Sequence, residues 1–102
     1  MTSESERSMT AKAVPTVQLD NDRCRVTEWR FAPGAATGYH RHEYDYVVVP
    51  GTTGRLKLIG PDGAAAHGEL TAGVSYFRQA GVEHDVVNAN DHEFVFVEIE
   101  FK

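Results

Sequence analysis

Three of the five histidines in this chain are spaced as though to work together. His40 and His42 stand two apart in GYHRHEYDYVVVP. On a strand, residues i and i+2 point to the same face, so the two imidazoles project side by side. His84 comes more than forty residues later, in the strand-like stretch EHDVVNA. Three neutral imidazoles from two strands facing one interior have the makings of a metal site, and that ligand type suits zinc, iron, copper and nickel. The same parity puts Tyr44, Tyr46 and Val48 on the face of His42 and turns Glu43 and Asp45 away. Tyr46 is therefore the neighbour expected to act as a weak ligand, a hydrogen-bond donor or a substrate contact. His67 lies in a loop-like segment and His92 follows a NAND turn, and both are expected to be ordinary packing or surface residues.

Strands must position these side chains. Strand-like segments run over 14–19, 23–32, 38–42, 44–50, 55–60, 67–70, 74–78, 84–89 and 92–101. Between them stand DND, APGAATG, PGTTG, GPDG, TAG, QAGVE and NAND, built from residues that accept turn geometry. GPDG is the sharpest of these. No segment sustains a helical repeat, and GAAAHGEL reads as a short strand or loop. Many short strands with frequent turns predict an all-β sandwich or barrel. In RLKLI, Leu56 and Leu58 alternate with Arg55 and Lys57, the mark of a strand with one face buried. The last strand is apolar on both faces: Phe94 and Phe96 on one, Val95, Val97, Ile99 and Phe101 on the other. One face belongs to the interior. The other needs cover, and a second subunit, giving a homodimer, is the expectation; residues 14–19 are the rival cover.

Composition bounds the function. The 102 residues, 41% apolar and 25% charged, make one ordinary folded domain. A leader rich in Ser, Thr, Glu and Lys is expected over residues 1–12 and a single domain over 13–102. Net charge is −5, from 15 acidic and 10 basic residues with no basic cluster, which argues against nucleic acid as a partner. No run approaches the ~18 apolar residues of a membrane span. The N-terminal segment MTSESERSMTAK lacks the apolar core of a secretory signal. The single cysteine, Cys24, can form no internal disulfide and reads as a small packing residue. A cytoplasmic location follows as the expectation.

At this point the chain resembles a small single-domain cupin. The first cupin motif runs from a glycine through five residues to His-x-His, then to a glutamate and a closing glycine. Gly34, AATGY and His40-Arg41-His42 fit its first half, and Gly54 fits its end. The motif's glutamate falls at Tyr46 or Val47, so the usual carboxylate is missing. The second motif reads Gly73, VSYFR, Gln79-Ala80-Gly81, Val82-Glu83, His84, DVV, Asn88, with Gln79 in place of proline. The chain as a whole is similar to small cupins named for β-alanine degradation, a name that specifies no reaction.

The resemblance implies a double-stranded β-helix, a jelly-roll barrel with metal near one mouth, and makes His40, His42 and His84 the ligands. Cupin-like thiol dioxygenases hold Fe(II) with three histidines; zinc or nickel suits such a set equally. Two functions are expected in competition. One is a three-histidine, dioxygenase-like enzyme acting on a small organic acid or thiol. The other is a non-catalytic barrel that binds a small molecule or a metal. Arg30 and Arg78 are candidates to pair with a substrate carboxylate. Glycines 34, 38, 51, 54, 73 and 81 are expected at turns that need permissive backbone angles, and Asn88 is expected to satisfy backbone groups at a turn.

Overall fold

The computed structural model describes residues 11–102. The first ten residues of the expected leader lie outside the described residues. Among the described residues there are nine strands and no helix: β1 Val14–Asp20, β2 Cys24–Phe31, β3 His40–Arg41, β4 Asp45–Pro50, β5 Gly54–Ile59, β6 Ala65–Leu70, β7 Tyr76–Arg78, β8 Glu83–Asn88 and β9 Phe94–Phe101. All pair antiparallel, in a five-stranded sheet ordered β1-β2-β9-β4-β7 and a four-stranded sheet ordered β3-β8-β5-β6. Strands adjacent in space are mostly distant in sequence, as in a double-stranded β-helix.

Alternation builds the interior. In β4, Tyr46, Val48 and Pro50 are buried while Val47 and Val49 are only half-buried. In β8, His84, Val86 and Asn88 are buried in the same rhythm. The core gathers Phe31, Phe94, Phe96, Val48, Leu56 and Val86 from both sheets, with Phe31 and Phe94 fully enclosed. Phe31 and Phe96 stack tilted at 5.4 Å between centroids, which adds aromatic contact to area burial.

The turns follow their chemistry. In GPDG, Gly63 N–H donates to Gly60 O at 3.0 Å and Ala64 N–H to Asp62 Oδ1 at 3.0 Å, and the turn joins β5 to β6. The segment around His67 is a strand, Ala65–Leu70, and not a loop. Gly51 lies in the bend between β4 and β5 and Gly54 opens β5, but neither has the positive φ expected of it. Gly54 is small for another reason. A Cβ there would meet Asn90 Oδ1 at 2.7 Å, and that side chain is fixed by Arg55, accepting from its N–H at 2.9 Å and donating to its carbonyl at 2.8 Å. Asn88 is buried and donates from Nδ2 to the carbonyls of Phe31, Ala32 and His92, tying three chain segments together.

The outer face of β9 is not covered by β1. That strand pairs edge-on with β2 and extends the sheet. All seven of its residues are exposed.

Candidate metal centre

His40 lies on β3 and is paired directly across the ladder with His84 on β8. His42 stands just past the end of β3, yet the ladder continues through it. Its N–H donates to Val82 O at 2.9 Å, and its carbonyl accepts from Gly81 N–H at 2.8 Å. Gly81 closes this narrow connection with φ of 97°, a left-handed conformation that residues with a Cβ rarely adopt. Extended parity thus survives to residue 42, and all three imidazoles enter one space.

Their Nε2 atoms converge: His40 to His42 at 3.1 Å and His42 to His84 at 3.2 Å. Nitrogens bound to one ion at ~2.1 Å and separated by 90–109° stand about 3.0–3.4 Å apart, so the trio has the spacing of a metal site. His40 Nδ1 lies 2.8 Å from Gly38 O. A carbonyl can only accept, so the proton sits on Nδ1 and the Nε2 lone pair is left for a metal. His42 and His84 are buried, and burial, aided by neighbouring His40, pushes both down to about 4. Both imidazoles are neutral at pH 7, the form that ligates. The donor set fits a divalent ion.

The trio lines a cavity of about 490 Å³ between the sheets. That is the size of a small-molecule site. The five-stranded sheet forms its other wall, in rows fixed by register. One row runs Arg78–Tyr46–Glu100–Arg25, the next Tyr76–Val48–Glu98–Thr27, and a deeper one pairs Phe96 with Trp29. Tyr46 is buried and its ring lies flat on that of His42, with centroids 4.0 Å apart and planes at 21°. Burial lifts its phenol to about 12, so it remains a proton donor. The chain bends at Glu43 and Tyr44 as it passes from one sheet to the other, so Tyr46 meets His42 from the opposite wall.

Arg78 lines the cavity and, among the described residues, forms no ion pair. Arg30, the other candidate, does not reach it. Arg30 alternates with the inward Trp29 and Phe31, lies on the outer face, and pairs with Glu28 and with Glu93 at 3.0 Å. His67 and His92 are exposed and away from the trio. Cys24 is half-buried on the outer face opposite Phe101.

Sequence reasoning missed Glu98. It is only 8% exposed, faces the cavity from β9, and has its Oε2 4.0 Å from His42 Nε2. Burial, with the charge of nearby Glu100, lifts its carboxyl to about 7, against a hydrogen bond from Trp29 that lowers it. The signal was available. Phe94 and Phe96 face inward, and the same parity carries Glu98 and Glu100 into the interior.

Residues 27–100 match the cupin domain model, and the chain belongs to the cupin family. It is 64% identical, over 91 residues covering 89% of this chain and 95% of the relative, to the β-alanine degradation protein BauB of Pseudomonas aeruginosa. A crystal structure of a cupin domain from Bordetella pertussis superposes with a TM-score of 0.89 at 61% identity, over 92% of this chain and 97% of that one. A double-stranded β-helix protein from Klebsiella pneumoniae, 22% identical, superposes at 0.71 over 97% of this chain and 86% of its own, a likeness of fold alone.

Proposed function

We propose that this cupin is a metal-dependent enzyme in which His40, His42 and His84 hold a divalent ion, Fe(II), zinc or nickel, and a small organic acid or thiol is the substrate. The observation that carries the reading is the convergence of three Nε2 atoms, His42 lying 3.1 Å from His40 and 3.2 Å from His84, on the wall of a cavity sized for a small molecule. When bound, iron would supply dioxygen chemistry, and zinc or nickel Lewis-acid polarisation.

The chain's own residues supply binding and orientation. Arg78, free of a protein counter-charge among the described residues, takes a substrate carboxylate at the cavity wall. Tyr46 keeps its phenolic proton and donates to substrate, while its ring fixes the plane of His42. Leu56, Leu58, Val86 and Phe96 form apolar lining that limits water. A relative named for β-alanine degradation is in keeping with a small acid as substrate.

The outer face supports a homodimer. Phe77, Val47, Ile99, Val26 and Leu19 form one apolar row across all five strands, with Phe77 54% and Leu19 46% exposed. Monomeric proteins rarely leave so continuous an apolar patch open. Among the described residues no helix is long and apolar enough to cross a membrane, and the free cysteine is in keeping with the reducing cytoplasm.

Loading with Fe(II) under anaerobic conditions tests the enzyme. The iron protein is expected to consume oxygen on addition of one member of a panel of small acids and thiols. Bound iron with no uptake across the panel contradicts dioxygenation and leaves a binding module.

A further inference from the structure

The cupin motif calls for a carboxylate on β4 and finds Tyr46 and Val47 there. One strand away, the structure offers another. Glu98 on β9 pairs across the ladder with Val48, and its side chain points into the cavity beside the histidines. Its Oε2 is 4.0 Å from His42 Nε2. His42, Glu98 and Glu100 each bring a ligating atom within 4.8 Å of the others, so the carboxylates adjoin the trio through a shared histidine.

Glu98 is buried, and among the described residues no arginine or lysine lies within ion-pair distance of it. Its polar neighbours are the Trp29 indole, which donates one hydrogen bond to it, and the neutral, ligand-forming nitrogen of His42. A buried carboxylate needs a cation or several hydrogen bonds to offset lost hydration. An ion at the histidines would be that cation.

We propose that Glu98 supplies the carboxylate ligand of this metal centre, from β9, in place of the glutamate that the motif carries on β4. The inference rests on the three-histidine reading. Donors around one ion at ~2.1 Å lie about 3.0 Å apart when adjacent and about 4.2 Å apart when opposite. Glu98 already stands 4.0 Å from His42, and since it does not lie within 4.8 Å of all three histidines, its side chain must swing toward the trio to bind. Tyr46 is not the replacement, because it presents its ring face to His42. The resulting set is three nitrogens and one carboxylate oxygen. It leaves one net positive charge on a divalent ion where histidines alone leave two, and its mixed donors suit Fe(II), zinc, nickel or cobalt(II) over Cu(I).

Cobalt(II) is the probe, because its visible absorption bands report the ligands it binds. Affinity would be measured by competition with a chelator for the wild-type chain, Glu98→Gln, His92→Ala and His84→Ala. Loss of the carboxylate is expected to weaken Co(II) binding at least ~10-fold and to shift the bands, whereas His92→Ala, at an exposed residue outside the site, leaves both near wild type. Glu98→Gln with wild-type affinity and spectrum overturns the assignment. So does weaker binding with unshifted bands, which would make Glu98 a distant charge. If glutamine disturbs the fold, Glu98→Asp keeps the charge but withdraws the oxygen by one methylene, and an unshifted spectrum there again contradicts the proposal. Wild-type protein that takes up no Co(II), or His84→Ala that takes it up as tightly as wild type, removes the three-histidine reading itself. The two failures are therefore distinct.

Discussion

Two rows of the same sheet, one residue apart, invert the usual arrangement of a globular protein. The inward row reads Arg78, Tyr46, Glu100 and Arg25. The outward row reads Phe77, Val47, Ile99, Val26 and Leu19. Charge on the inside and apolar side chains on the outside are what a bound guest on one face and a second subunit on the other would each account for. Under the proposed function the inward row would meet a polar guest, an ion and a small acid. In the proposed homodimer the outward row would meet another apolar surface. Deeper in the sheet the ordinary pattern returns, with Phe96 packed against Phe31 in the core. The barrel thus has a stabilising end and a working end, and β9 crosses from one to the other as Phe94 and Phe96 give way to Glu98 and Glu100.

The largest effect should come from the histidine wall that faces the polar row. His84→Ala is expected to weaken metal binding by ~100-fold or more, about 2.7 kcal/mol, while His92→Ala, altering an exposed side chain, leaves it unchanged. Chelator competition on both variants decides this, and equal effects would break the assignment. Next comes the outward row. Ile99→Asp puts a charge at the centre of the apolar face and should convert dimer to monomer in light scattering after size exclusion. Metal uptake should survive, since Ile99 points away from the cavity. A wild-type chain that is already monomeric would break the comparison at its outer half.

The smallest effect is one of pH on the metal-free protein. His42 and His84 are held at about 4 in the fold, below the ordinary 6.5. The unfolded chain therefore binds more protons between these values, and stability rises with pH across that window. Glu98, raised from 4.5 to about 7, works in the opposite direction, one group against two. Tm should climb from about pH 4.5 to 6.5 and level off near 7. A flat or falling Tm over that range contradicts the burial argument.

The histidine wall and the acidic wall also differ in how readable they were. The trio was legible because the spacing of His40 and His42 is local, and a second motif ending in Asn88 located His84. Each of the nine strands had a counterpart in the alternation and turn residues, down to the GPDG hairpin, except that β6 was left open between strand and loop and begins at Ala65, ahead of the expected 67–70. Short β3 was overestimated, because His42 keeps its ladder bonds while lying outside the regular strand. Glu98 escaped because the search for a carboxylate stayed near the histidines in sequence. That β9 lies beside β4 is set by long-range pairing, which no local pattern encodes. Arg30 failed for a simpler reason: with Trp29 and Phe31 inward, its own side chain had to point out.

The measurement that tests the central claim most directly is metal content by elemental analysis of protein purified without a polyhistidine tag. Near-stoichiometric iron, zinc or nickel in the wild-type chain, lost in His84→Ala, is the predicted result. A wild-type chain that holds no metal and takes none up on addition would contradict it.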